Sequence, residues 1–208
     1  MNEPIGLQSL QQAITDDFET LNQPVANWVP ERSGAHGAKL LDVLVVGGGM
    51  CGVTAAFQLR RLGIHNIRVI DAAPAGHEGP WRTFARMETL RSPKHLTGPA
   101  CGMANLTFRA WFVARNGAAA WQVLGYIPRE MWADYLAWFA RQTQANAENN
   151  MRLEQLQATT NGWLVHLSDT DNGSRQTVEA RYVVLATGRE ALAVPRRPKP
   201  FDGFHGDG

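Results

Sequence analysis

Three closely spaced glycines constrain the fold of this sequence more than any other feature. Gly47, Gly49 and Gly52 form the pattern G-x-G-x-x-G. Residues 42–46 (DVLVV) come directly before it and are typical of a strand buried on both faces of a parallel sheet. Residues 53–62 follow it and predict a helix, with small residues in its first half and arginines near its end. The pattern therefore lies between a strand and a helix, which is the setting of a dinucleotide-binding turn.

Each glycine of the pattern has its own physical role in such a turn. Gly47 permits the tight turn, Gly49 lets a pyrophosphate approach the backbone closely, and Gly52 lets the helix pack on the strand. The helix N-terminus adds unpaired N–H groups and the positive end of the helix dipole. These features predict a dinucleotide-binding loop, the alternative being a glycine-rich turn without a ligand. Three more residues of the loop are candidates for cofactor contact: Gly48, Met50 and Cys51.

A second predicted strand, residues 66–71 (NIRVID), ends in an acid. This residue, Asp71, comes nineteen residues after Gly52, close to the spacing at which an acid accepts hydrogen bonds from a cofactor's ribose. A carboxylate there disfavours the 2′-phosphate of NADP, so this nucleotide site is predicted to take FAD or NAD. Strand, helix and second strand together predict a β-α-β unit.

The rest of the chain shows helical and strand patterns around a loop-rich middle. Apolar residues spaced by three and four predict an amphipathic helix before residue 22 and another over 129–144. Residues 72–127 are rich in glycine and proline and predict loops and short helices. Strands are predicted over 151–156, 163–168, 177–180 and 182–186, with a hairpin turn at Asn172-Gly173. The sequence thus indicates an α/β fold with a parallel sheet and a small β-meander.

The order of these features resembles the flavoproteins that have two dinucleotide-binding domains. The motifs that carry the likeness are GGGMCG at 47–52, Asp71, Gly79-Pro80-Trp81 and VVLATG at 183–188. Within that group the sequence is most similar to the flavin-dependent monooxygenases: flavin-containing monooxygenases, Baeyer–Villiger enzymes and lysine or ornithine N-hydroxylases. The resemblance covers about residues 40–206. It implies a Rossmann-like, three-layer FAD/NAD(P)-binding fold that is incomplete at the C-terminus.

The resemblance also implies residue roles and a division of the chain. The glycine loop would hold the FAD pyrophosphate, and Asp71 the adenosine ribose. Trp81 and Arg82 would approach the flavin ring, although a packing role explains Trp81 equally well. Thr187 and Gly188 would mark the passage between domains. Residues 1–40 would be an N-terminal helical extension and linker, 41–190 the FAD-binding domain, and 191–208 a linker toward an NADPH-binding domain.

The second glycine motif of that family, which binds NADPH, does not occur in these 208 residues. We therefore expect either a truncated chain or a divergent protein that has lost hydride delivery, and we favour truncation. FAD is the predicted cofactor, with NADPH expected for the complete enzyme and an amine, sulfide or ketone as its substrate. The alternatives are a non-catalytic module that binds FAD or NAD, and a flavin oxidase or dehydrogenase. No catalytic acid or base is identified.

Composition and charge argue against several other classes of protein. Twenty Lys and Arg residues nearly balance nineteen Asp and Glu residues, and this net charge of +1 gives no electrostatic reason to expect a nucleic acid partner. Cys51 and Cys101 lie far apart and the histidines lack metal-binding spacing, so no metal site is predicted. The N-terminus lacks a signal-peptide pattern and no apolar run would span a bilayer. We therefore expect a cytoplasmic protein without a membrane partner.

Overall fold

The structure, a computed structural model, describes residues 5–34 and 39–188. Within them the strands are β1 (Leu41–Val46), β2 (Ile67–Ile70), β3 (Met151–Thr159), β4 (Gly162–Asp169) and β5 (Arg175–Leu185). They form one mixed sheet in the order β2-β1-β5-β4-β3. β1 pairs in parallel with β2 and with the second half of β5, whereas β3, β4 and the first half of β5 form an antiparallel meander. The predicted α/β fold with parallel strands and a small meander is confirmed.

β5 is one strand where the sequence predicted two, over 177–180 and 182–186. Arg181 lies between the two predicted segments, and its guanidinium donates to the carboxylate of Asp42 on β1 at 3.2 Å. Asp42 is only 6% exposed, so the ion pair satisfies a buried charge and ties residue 181 to the neighbouring strand. β5 therefore joins the meander to the parallel strands as one continuous sheet.

Helices cover one face of the parallel strands, and the meander packs against their other face. The described residues include α1 (Ile5–Thr20), α2 (Met50–Arg61), α3 (Phe108–Asn116), α4 (Ala118–Val123) and α5 (Arg129–Gln142). Val43 and Val45 of β1 belong to the core that these helices build. Leu44 and Val46 point away from it and pack against Val165 of the meander. Helices, parallel strands and meander thus form three layers, as the family resemblance implied.

Parts of the predicted domain organisation fall outside the described residues. These are residues 1–4 and 35–38 of the predicted N-terminal extension, residues 189–190 at the end of the predicted FAD-binding domain and the linker predicted over 191–208. The helix predicted within residues 1–40 is present as α1, and its Leu7, Leu10 and Ile14 are buried in the same core as α3. The first helix is therefore packed on the rest of the fold.

In the described ranges, no helix combines the length and the apolar character needed to cross a membrane.

An aromatic cluster joins α3, α4 and α5 in the helical layer. Phe108, Trp111, Trp121, Trp132 and Tyr135 are each at most 6% exposed, and their neighbouring ring centroids lie between 5.0 and 6.3 Å apart. The Tyr135 hydroxyl donates to a backbone carbonyl oxygen at 2.8 Å. Burial raises the pKa of this hydroxyl well above its usual range, so it remains a donor. The cluster fixes α5, which forms one wall of the candidate site.

Tyr135→Phe should lower the free energy of unfolding by about 1–2 kcal/mol, because it leaves the buried carbonyl oxygen of Leu106 without its donor. Urea unfolding followed by tryptophan fluorescence measures the change. Tyr182→Phe is the matched control, since this tyrosine is 61% exposed and its substitution should cost less than about 0.5 kcal/mol. Equal effects of the two substitutions would contradict the buried hydrogen bond.

Candidate cofactor site

The glycine turn lies between β1 and α2, as the sequence predicts. Gly47 has a φ of +109°, and a Cβ there would lie 2.4 Å from the carbonyl oxygen of Ala186. A Cβ on Gly52 would lie 1.8 Å from the carbonyl oxygen of Gly47. Backbone atoms block both positions, so neither accepts a side chain. Gly47 and Gly52 therefore build the turn itself, through the tight bend and the close helix packing predicted for them.

Gly48 and Gly49 have different surroundings. A Cβ on Gly48 would lie 2.6 Å from the Cβ of Ala147, in the loop before β3. A Cβ on Gly49 would meet only the backbone of Gly79, at the ordinary contact distance of 3.5 Å. The fold itself therefore does not require glycine at position 49. Gly49 is the N-cap residue of α2 and supplies no side-chain cap, so the first turn of this helix offers backbone N–H groups to a ligand.

Asp71 lies beside the glycine turn, directly after β2. Its Oδ2 accepts a hydrogen bond from the Gly48 N–H at 2.7 Å, and its Oδ1 accepts one from the Ala73 N–H at 2.8 Å. The carboxylate thus holds the glycine loop against the loop that follows β2. Each oxygen keeps a second lone pair, and the predicted contact with a ribose stays a prediction.

A cavity of about 440 Å³ opens next to the glycine loop. Its walls come from the start of α2, from the loop over 75–82, from α5 and from the loop before β3. α5 contributes a row of small side chains, Ala133, Ala137 and Ala140. Cavities of this size hold small ligands, and a wall of methyl groups leaves room for a flat ring.

Trp81 lines this cavity together with the predicted loop residues Gly48, Gly49 and Met50. Its ring packs edge-on against Trp132, with centroids 6.3 Å apart. The indole Nε1 of Trp81 is buried and has no hydrogen-bond partner among the described residues. Trp81 is therefore a packing aromatic that also borders the cavity.

Arg82 lines the cavity as well, but its guanidinium is already engaged. It forms ion pairs with Asp134 and, at 3.3 Å, with Glu130, both on α5. It also donates to the carbonyl oxygen of Gly76 at 3.3 Å. Arg82 therefore anchors the 75–82 loop to α5, and the flavin contact implied for it stays a prediction.

The remaining predicted residues lie around the turn but outside the cavity. Cys51 is exposed at the start of α2. Thr187 and Gly188 follow β5, and a Cβ on Gly47 would lie 3.2 Å from the backbone nitrogen of Thr187. The carboxyl ends of β1, β2 and β5 thus meet at one edge of the sheet, which is where open α/β sheets bind ligands.

The loop before β3 is a part of the site that sequence reasoning missed. The Asp71 N–H donates to the carbonyl oxygen of Glu148 at 2.9 Å, so this loop continues the sheet beside β2. It brings Ala147 against the glycine loop and Asn149 to within 2.6 Å of the Glu78 carboxylate. The sequence marks this loop only as a polar connection between a helix and a strand, and this does not indicate which residues the loop contacts.

A family model described as FAD-NAD(P)-binding matches residues 44–190. The chain belongs to this family. The match includes the glycine turn, the residues of the cavity and the end of β5, and it confirms the prediction of a flavoprotein-type nucleotide-binding fold.

Known proteins resemble the chain over most of its length. The FAD-dependent urate hydroxylase of Xanthomonas campestris pv. campestris is 39% identical over 186 residues, which are 88% of this chain and 38% of that protein. The FAD-bound cadaverine monooxygenase of Erwinia amylovora has a TM-score of 0.59 at 20% identity. The match covers 72% of this chain and 36% of the monooxygenase chain. The ornithine hydroxylase of Pseudomonas aeruginosa has a TM-score of 0.62 at 17% identity, with coverages of 78% and 42%.

The urate hydroxylase is FAD-dependent, and the cadaverine monooxygenase binds FAD. The two solved structures share the fold of this chain. The chain spans less than half the length of each of the three proteins.

Proposed function

We propose that the chain is the FAD-binding part of a flavin-dependent monooxygenase that uses NADPH, with residues 41–190 as its FAD-binding domain. The observation that carries the proposal is the environment of Gly49. The fold does not require a glycine there, yet the residue begins α2 beside an open cavity. A pyrophosphate that approaches the backbone at the helix N-terminus explains the missing side chain.

The residues around the cavity fit the adenosine half of FAD. The row of alanines on α5 suits a flat adenine ring, and the loops over 75–78 and 146–149 supply polar groups for a ribose. Trp81 adds an aromatic side chain to the lining of the same cavity. The family resemblance implies the residues that we propose as FAD contacts: Gly47, Gly48, Gly49, Met50, Cys51, Gly52, Asp71, Trp81, Arg82, Thr187 and Gly188.

This chain's own contribution is to bind and orient the cofactor. The N–H groups at the start of α2 offset the pyrophosphate charge, and Asp71 keeps the Gly48 N–H in place. Bound FAD would supply the redox chemistry, taking a hydride from NADPH and reacting with O₂ so that one oxygen atom enters the substrate and the other leaves as water. The proposed substrate is a small molecule: an amine, sulfide or ketone by family resemblance, or a purine by analogy with the urate hydroxylase.

The proposal predicts that the chain binds FAD at least about tenfold more tightly than FMN, because FMN lacks the adenosine half that fits the cavity. Titration of each flavin, followed by quenching of its fluorescence, gives both dissociation constants. Ala137→Phe, which places a ring in the cavity, should remove this preference and leave the FMN affinity unchanged. Equal affinities in the original chain would contradict the assignment of the cavity.

Turnover by the full-length protein separates the monooxygenase from the alternatives left open by the sequence. NADPH consumption with urate, an amine or a sulfide should yield an oxygenated product. Oxidation of the substrate with release of hydrogen peroxide in the absence of NADPH would favour a flavin oxidase, and flavin binding without turnover would favour a non-catalytic module.

A further inference from the structure

A second cavity, of about 920 Å³, opens in the helical layer. Its walls come from α1, from the loop over 94–97, from the segment before α3, and from α3 and α4. It shares no lining residue with the cavity beside the glycine loop. Its volume is sufficient for a small organic molecule. A ligand in this second cavity would therefore leave the proposed FAD site free.

The positive charge at the second cavity has no counter-charge in its walls. Lys94 and Arg109 line the cavity, whereas none of its lining residues is an Asp or a Glu. Both cations lie near the ring of Trp121, with Lys94 Nζ 4.9 Å and Arg109 Cζ 5.7 Å from its centroid. Among the described residues, neither cation has an ion-pair partner. Two like charges beside one ring repel each other, so an anion from outside the chain would be stabilised here.

Hydrogen bonds hold Lys94 in the wall of the second cavity. Its Nζ donates to the carbonyl oxygens of Trp121 at 2.7 Å and Leu124 at 2.5 Å, at the end of α4. An ammonium group has three donors, so one N–H of Lys94 is left for a ligand. Arg109 is exposed and, in the described part of the chain, its guanidinium contacts no acceptor. Both cations can therefore donate to a bound anion.

The rest of the lining of the second cavity is mainly apolar. α1 contributes Leu10, and α3 contributes Ala110, Val113 and Ala114. These side chains offer a surface on which a hydrocarbon chain is removed from water. Apolar walls beside two cations suit a ligand that has one anionic group and an apolar body.

We propose that the second cavity is a ligand site for a small aliphatic carboxylate. The carboxylate binds Lys94 and Arg109, and the hydrocarbon chain lies against α1 and α3. The inference goes beyond the proposed function and does not depend on FAD, because the two cavities have separate walls. The protein would thus bind such an acid and its cofactor at the same time.

Calorimetry with three probes tests the proposal, on the chain with and without saturating FAD. Octanoate has both the anionic group and the hydrocarbon chain, octanamide lacks the charge, and acetate lacks the chain. Arg109→Gln removes one of the two cations at an exposed position. Arg152→Gln is the matched control, because Arg152 is an exposed arginine of β3 that does not line the second cavity.

Octanoate should bind at least about tenfold more tightly than octanamide or acetate, because it alone combines ion pairing with burial of methylene groups. Arg109→Gln should weaken octanoate about tenfold and leave octanamide unchanged. Arg152→Gln should change the affinity for neither probe. Saturating FAD should leave the octanoate affinity within about twofold of its value without FAD.

Four results would overturn the inference. Octanoate that binds no more tightly than octanamide would exclude the role of the two cations, and octanoate that binds no more tightly than acetate would exclude the apolar walls. Equal effects of Arg109→Gln and Arg152→Gln, or competition between octanoate and FAD, would place octanoate elsewhere. Binding to this chain but not to the full-length protein would show that another part of that protein covers the cavity.

Discussion

Gly52→Ala is expected to destabilise the whole fold, with a loss of about 3 kcal/mol or more in the free energy of unfolding. The added Cβ would lie 1.8 Å from the carbonyl oxygen of Gly47 and 3.0 Å from its carbonyl carbon. Both are backbone atoms of the turn after β1, so no side-chain rotation relieves the overlap. α2 would have to move away from the central strand, which exposes the buried Val53 and Ala56.

The thermal midpoint from circular dichroism measures this loss, and a drop of about 6–12 °C corresponds to it for a chain of this size. Gly125→Ala is the matched control, because a Cβ at Gly125 meets nothing within 4 Å. This control should stay within about 2 °C of the original chain. Equal thermal midpoints of the two variants would contradict the close contact between α2 and the turn after β1.

Gly49→Val should lower the affinity for FAD at least about 100-fold, close to 2.7 kcal/mol, while leaving the fold in place. The N-cap conformation of residue 49, with φ −68° and ψ −177°, is one that a β-branched residue adopts readily. Its Cβ meets the backbone of Gly79 at an ordinary distance of 3.5 Å. The new methyl groups therefore occupy the space proposed for the pyrophosphate.

The contrast between the two glycine variants is the informative result. Without flavin, Gly49→Val should melt within about 3 °C of the original chain, whereas Gly52→Ala should lose both stability and binding. The FAD dissociation constant comes from the same fluorescence titration as above. Unchanged FAD affinity in Gly49→Val would exclude the N-terminus of α2 as the pyrophosphate site.

The sequence was most informative where local sterics decide the structure. Gly47 and Gly52 are predictable because a bend with positive φ and a close helix contact each exclude a Cβ, whatever the rest of the chain does. The buried strand before them is predictable for a similar reason, since β1 is covered on both faces and its sequence is apolar throughout 43–46.

The cavity was not predictable because its walls come from distant parts of the chain. Glu78 and Asn149 are 71 positions apart. They meet because the loop before β3 pairs with the end of β2. Neither residue belongs to a periodic pattern or a motif. For Asp71, the sequence correctly predicted a position at the end of a strand. It could not predict the backbone N–H groups whose hydrogen bonds the carboxylate accepts, because these depend on how the loops pack around it.

The visible absorption spectrum of the purified chain tests the central claim most directly. The chain is incubated with FAD, desalted and compared with Gly49→Val treated in the same way. We expect the original chain to retain the absorption bands of a bound flavin and the variant to be colourless although folded. A folded original chain that emerges colourless would contradict the assignment of the glycine turn and its cavity to FAD.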